Sequence, residues 1–290
     1  MFLLAAGSAA AGGSWPAWLL AFPESTDSVL IADTGNATLY RYYRNTKGEL
    51  AAATHYMSIG RRGVGKQRAG DRRTPIGVYF ITEQLDTQGL NDKYGITAFP
   101  IDYPNTLDRR RGRTGDGIWL HGVTPDGGLR PERDTDGCIA LPNEQLATLV
   151  PWLEPQATPV VIVREMLYTT KAEAESRAAA LKAALEAWRT AQLAGDLEAY
   201  FASYHADFEY RGLKRDDWLN LKLAAASAPA ELDIEDLTIL AEPDDDGLFV
   251  TRFQMASTQP NGPRLRSSKR LYWRVSNEDG RYLIVAEDNG

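Results

Sequence analysis

One change of texture divides this chain and constrains its fold more than any single residue does. Up to about Val163 the sequence is a succession of short apolar or alternating runs cut by Gly, Pro, Asn and Asp; from Lys171 it turns into a long stretch rich in Ala, Leu, Glu and Lys. Runs such as SVLIAD, ATLYRYYR, THYMSIG, IGVYFITEQL, GITAFPIDYP, GIWLHGV and TPVVIV are too short for helices and carry the period or apolarity of strands. Only NEQLATLVPWL has helical spacing, with Asn143 in the place of an N-cap. A mainly β sandwich or barrel is therefore expected over residues 28–163.

The second part reads differently. KAEAESRAAALKAALEAWRTAQLAGD is strongly helical; Gly195 ends it and Asp196 opens a second helix, LEAYFASY. A third helix covers DDWLNLKLAAAS, and four alternating runs follow, with hairpin signals at DDDG and NEDG. Helices first and an antiparallel sheet afterwards make an α+β domain over residues 171–290, with residues 164–170 as linker. Residues 1–27 are an apolar segment that reads as the end of an export signal, with Ala9-Ala10-Ala11 able to support cleavage, although the first cation is Arg41. The alternative is a short apolar arm docked on the body.

Charge and cysteine usage narrow the chemistry. The net charge of -7 argues against a nucleic-acid partner, whose phosphates would need a basic surface. No run of eighteen apolar residues occurs, so no membrane span is expected. Two basic loops nevertheless stand out, one holding Arg61, Arg62, Lys66, Arg68, Arg72 and Arg73, the other Arg109, Arg110, Arg111 and Arg113. They suit an anionic or carboxylate-bearing ligand or are solvated loop charge. With one cysteine no disulfide framework exists, and a lone cysteine is ordinarily a small buried hydrophobe.

The context of that cysteine points elsewhere. In IWLHGVTPDGGLRPERDTDGCIALPN, His121 ends a strand and Cys138 follows seventeen residues later, between Gly137 and Ile139. A nucleophilic thiol needs a base near neutral pH, and imidazole fits. Gly137 lets the backbone approach a substrate carbonyl, so that the N–H groups of Gly137 and Cys138 can hold an oxyanion. A backbone carbonyl such as that of Gly122 would orient the other imidazole nitrogen. A zinc reading of His121 and Cys138 lacks two ligands, and no metal is expected.

These residues resemble the L,D-transpeptidase catalytic-domain (YkuD-type) family, which carries HG, a loop and [ST]-x-G-C: here His121-Gly122 and Thr135-Asp136-Gly137-Cys138. Thr74-Pro75-Ile76-Gly77, Tyr103-Pro104-Asn105 and the run from Gly112 to Gly122 fit as well. The resemblance implies a β sandwich, Cys138 as nucleophile with His121 as base, no cofactor, and action on the diaminopimelate–D-Ala bond of peptidoglycan stem peptides in the periplasm. It is closest to the branch that includes L,D-carboxypeptidases setting cell shape. Two departures leave the acceptor open between an amine and water: Ala140 where Arg is commoner, and Asp136 where His is commoner. Tyr103, Arg113, Trp119, Arg133, Thr135 and Asp136 flank the catalytic elements and are the candidates for substrate contact, the alternative for each being local packing. A catalytically degenerate wall-binding scaffold is the competing reading, and a homodimer is left open. Residues 186–208 resemble the nuclear-transport-factor-like cone fold. Trp188, Tyr200, Tyr204, Phe208, Trp218 and Trp273 would line its pocket or, more simply, fill its core.

Overall fold

The computed structural model describes residues 15–225, 228–258, 260 and 262–290. Ala9-Ala10-Ala11 lies outside them. The described chain falls into two compact units, residues 26–168 and residues 15–25 with 169–290.

The first unit is the expected β sandwich. Its larger sheet runs in the order Leu50–Tyr56, Thr38–Arg44, Val29–Asp33, Pro159–Val163, Gly77–Phe80. All neighbours are antiparallel except Val29–Asp33 and Pro159–Val163, which run parallel with Val160 opposite Leu30. Both of these central strands are buried along their whole length, which is why they read as unbroken apolar runs instead of alternating ones. A smaller sheet has Trp119–His121 in the middle, Ile139–Ala140 parallel on one side and Ala98–Pro100 antiparallel on the other. Between the sheets, Leu30, Ala32, Leu39, Tyr79, Val160 and Ile162 meet Phe99, Leu120, Ile139 and Leu141 in one core. Helix Asn143–Leu149 adds Leu146 and Leu149 to it. Asn143 is the first residue of that helix and not its cap; the cap position is Pro142, which makes no side-chain bond. The amide of Asn143 serves another purpose, described below.

The second unit is α+β. Helix Lys171–Ala194 opens on a capping box between Thr170 and Glu173 and stops at Gly195, whose φ of 65° is the left-handed conformation that ends helices. Asp196 caps the helix Leu197–Ala202 by accepting from the Ala199 N–H. An antiparallel sheet follows in the order Tyr282–Asp288, Arg264–Val275, Leu248–Thr258, Glu231–Ala241, and Leu19–Ala21 extends its edge, pairing with Ile239 and Leu240. Part of the apolar N-terminal segment is thus a strand of this sheet. Leu19, Leu20 and Phe22 are buried there. All six aromatic residues singled out from the sequence are buried. Three of them are joined through their polar tips: Trp188 Nε1 donates to Tyr204 Oη (3.2 Å), Tyr200 and Tyr204 share a hydrogen bond of 2.7 Å, and Tyr204 donates to Glu287, which also accepts from Lys269 at 2.8 Å. No helix among the described residues is long and apolar enough to cross a membrane.

Candidate active site

The smaller sheet of the first unit brings Cys138 to His121. Ile139 lies opposite Leu120 and Ala140 opposite His121 in a parallel ladder, with Leu141 N–H donating to His121 O at 2.9 Å. Cys138 therefore falls beside Trp119. Side chains alternate along strands, so Leu120 and Ile139 enter the core while Trp119, His121, Cys138 and Ala140 share the opposite face. Diagonal neighbours on one face are separated by roughly 7–8 Å between Cα atoms, within reach of an imidazole.

The loop entering Cys138 is held by hydroxyls. Buried Thr74 Oγ1 accepts from Gly60 N–H and donates to Gly137 O, both at 2.9 Å. Thr135 Oγ1 accepts from Gly137 N–H (3.1 Å) and donates to Cys138 O (2.7 Å). The Gly137 N–H is thus already bonded and is not an oxyanion donor. The Cys138 N–H, of the two expected, meets no acceptor among the described residues. Gly137 has φ 131°, and a Cβ there would sit 2.8 Å from Arg73 O, so this loop requires glycine.

His121 is buried and oriented. Its Nδ1–H donates to Gly122 O at 2.6 Å, leaving Nε2 with a lone pair. Gly122 N–H donates to Tyr94 O, and the Tyr94 ring stands edge-on to the imidazole with centroids 5.2 Å apart and lies 4.7 Å from Trp119. Asn143 clamps the next peptide, its Oδ1 accepting from Val123 N–H (3.0 Å) and its Nδ2 donating to Val123 O (2.9 Å). A Cβ on Gly122 would come within 2.1 Å of that Oδ1.

Both reacting groups are neutral at rest. Burial lowers the His121 pKa to about 4 against the opposing Gly122 hydrogen bond, with Arg130 and Lys93 pushing the same way as burial. Burial also pushes the Cys138 thiol up; the Trp119 N–H and the Lys93 ammonium favour the thiolate, and Asp136 opposes it. The thiol is half-buried and donates to Gly117 O at 3.4 Å. A neutral thiol beside a neutral, oriented imidazole and a free N–H can carry out general-base-assisted attack on a carbonyl. Among the described residues no three His, Cys, Asp or Glu side chains are placed to hold a metal ion.

Residues 27–162 match the family model for the L,D-transpeptidase catalytic domain, YkuD. They form a YkuD catalytic domain. Residues 180–288 match the Cds6 C-terminal NTF2-like domain. Among solved structures, Bd1075 of Bdellovibrio bacteriovorus is 25% identical with a TM-score of 0.76, covering 95% of this chain and 97% of that one. The helical cell shape determining protein Pgp2 of Campylobacter jejuni is 24% identical with a TM-score of 0.73, covering 95% and 94%. Among curated proteins none matches.

Within the YkuD domain, the residues expected to touch substrate divide. Trp119 and Asp136 stand next to Cys138, one half-buried and one exposed, and Arg133 is exposed on the strand Arg133–Thr135, which runs parallel to Ile59–Gly60. Thr135 is buried and builds the Cys138 loop. Tyr103 and Arg113 depart from expectation. Tyr103 is buried, donates to Thr114 O and packs on Tyr79, while Arg113 is buried on Asp108 at 3.1 Å. A buried guanidinium must keep its carboxylate, so both side chains build the framework. Sequence reasoning missed Tyr94, Asn143 and the Gly117 carbonyl.

The neutral resting pair has a measurable consequence. Alkylation of Cys138 by iodoacetamide is expected to climb about tenfold per pH unit through neutrality, following the thiolate fraction of a thiol with a raised pKa. A rate plateau between about pH 5 and 7 would instead reveal a preformed thiolate–imidazolium pair, as in strongly activated cysteines.

Proposed function

We propose that the protein is a cysteine acyl-transfer enzyme of the cell wall that cleaves the diaminopimelate–D-Ala bond of stem tetrapeptides, Cys138 being the nucleophile and His121 the base. The observation that carries this is the parallel register that sets Cys138 and His121 on one face with Nδ1 tied to Gly122 O. The thiol hydrogen turns from Gly117 O to Nε2, Sγ attacks the carbonyl carbon, and the oxyanion is held by the Cys138 N–H. The C–N bond breaks and the imidazolium returns its proton to the departing D-Ala amine. The thioester is then resolved by water, giving a trimmed tripeptide, or by an amine, giving a cross-link or an exchanged residue. His121 takes the proton of that second nucleophile and the thiol is restored. The substrate places the enzyme in the periplasm. Pgp2 is a cell-shape determining protein, and a part in cell shape belongs to the same proposal. Trp119, Arg133 and Asp136 are the side chains that would meet the stem peptide.

Incubation with disaccharide tetrapeptide, followed by mass measurement of protein and products, tests this. A Cys138 thioester with tripeptide alone identifies the carboxypeptidase, and a dimer or exchanged D-amino acid the transpeptidase. Intact tetrapeptide with no adduct, under conditions where the protein is folded, would leave the scaffold reading standing.

A further inference from the structure

A row of alternating charges approaches Cys138 from its N-terminal side, and no member of it takes part in the bond-making and bond-breaking steps above. Arg72 Nε lies 3.7 Å and Arg61 Nη1 3.9 Å from the same oxygen of Asp136. Arg61 Nε is 3.8 Å from Asp134, whose other oxygen is 3.5 Å from Arg130 Nε. These separations exceed those of charge-assisted hydrogen bonds, about 2.7–2.9 Å. Asp136 is 63% exposed, Arg72 55% and Arg61 49%. Pairs this open contribute about 0–1 kcal/mol to stability, so stability does not account for the arrangement, and a ligand can displace either partner at little cost.

The backbone beneath these heads is held firmly. Asp71 accepts from the N–H groups of Gln67, Arg68 and Arg73 and from buried Lys66 Nζ, which fixes the loop that carries Arg72. Arg72 itself sits at φ 58°, a left-handed conformation that costs a residue with a side chain roughly 1–2 kcal/mol. Its carbonyl accepts from Arg62 N–H at 3.1 Å. Arg61 N–H donates to Thr135 O at 2.8 Å. Asp136 stands between Thr135 and Gly137, both pinned by the bonds already described. Backbone strain of this kind collects at ligand clamps.

Fixed main chain carrying loose heads of both signs suits a ligand that is itself a zwitterion. We infer that Arg61, Arg72 and Asp136 read an amino-acid terminus that bears a carboxylate and an ammonium together. The two guanidinium groups take the carboxylate and Asp136 takes the ammonium. The inference rests on the stem-peptide reading, in which the free end of diaminopimelate is that terminus. Reach agrees: Asp136 and Cys138 are two residues apart, at most about 7 Å between Cα atoms. The free centre of diaminopimelate lies four C–C bonds from the centre bearing the scissile carbonyl, roughly 5 Å extended. Lysine at the same place keeps the ammonium and lacks the carboxylate.

Binding of two synthetic tetrapeptides, one with diaminopimelate and one with lysine at the third position, to full-length Cys138→Ala protein tests this by calorimetry without turnover. The diaminopimelate peptide is expected to bind about tenfold tighter, the scale of one charge-assisted contact. Adding Arg61→Gln with Arg72→Gln is expected to bring the ratio to about one, and adding Asp136→Asn to weaken both peptides alike. Discrimination that survives the double arginine change, or no discrimination at the start, overturns the inference; a thermal melt of each variant confirms that it is folded. Thioester formation by the parent protein is scored separately. Thioester without discrimination defeats only this inference, and discrimination without thioester defeats only the acyl-transfer reading.

Discussion

Cys138→Ala is expected to abolish the thioester, and His121→Gln to slow its formation about a thousandfold, the range that a positioned general base contributes. The two variants should differ in a second respect that a purely structural imidazole would share but a purely catalytic one would not. His121 is buried and its pKa falls from 6.5 to about 4. Between those pH values the unfolded chain binds the proton and the folded chain does not, so stability drops as pH falls through that window. The full loss is about 3 kcal/mol once pH lies below the folded value. Cys138→Ala keeps this slope, because the imidazole is still buried, and His121→Gln removes it. Denaturant titrations at pH 7, 5.5 and 4 read the slope, and mass spectrometry after brief exposure to stem peptide reads acylation. A His121→Gln protein that acylates at the parent rate would remove His121 from the chemistry. One that keeps the acid sensitivity would remove the account of its burial.

The catalytic pair could be read from the chain because its signature is short. His121-Gly122 and Thr135 to Cys138 are each contiguous, and the chemistry demands those residue types. Their meeting depended on the register of two very short strands, two and three residues long, which no periodicity can show. Tyr94 was hidden for the opposite reason. It lies in a polar turn and reaches the imidazole only because Gly122 N–H donates to its carbonyl. The Gly117 carbonyl has no side-chain signature at all. Asn143 looked like a helix cap, since asparagine before an apolar run is the ordinary cap signal, but its amide is bound to Val123. Tyr103 and Arg113 looked available because they flank the catalytic elements in the sequence. The capping box of Asn105 and Asp108 instead turns that segment inward and gives Arg113 a buried partner. A docked apolar arm was one of the two readings of the N-terminal segment, but the place of Leu19–Ala21 at a sheet edge was illegible because its partner, Glu231–Ala241, lies near the other end of the chain. The helices of the second unit, whose signals are local caps and composition, were read closely.

Gly137→Ala should be nearly as damaging to acylation as loss of the base, although it removes no functional group. Two costs coincide there. The residue holds φ 131°, which side chains rarely adopt, and the added methyl meets Arg73 O at 2.8 Å and Ile118 Cδ1 at 3.0 Å. The first neighbour is backbone, tied into the Asp71 loop through the Arg73 N–H, so it cannot step aside without disturbing that loop. The Gly137 peptide is bonded at both ends, N–H to Thr135 and O to Thr74, so relief by rotation would break one of those bonds. Strain and lost bonds together are expected to cost about 3 kcal/mol or more. Any displacement of Cys138 by as much as 1 Å would slow acylation about a hundredfold. Gly112→Ala is the matched comparison: its φ is 70° but nothing lies within 4 Å of the new Cβ, so it should cost about 1 kcal/mol and leave acylation unchanged. Thermal unfolding and carbapenem adduct formation, measured on both variants, separate the two. Equal losses in the pair would mean that conformation alone, and not the close approach of Arg73 beneath the nucleophile, dictates glycine before Cys138.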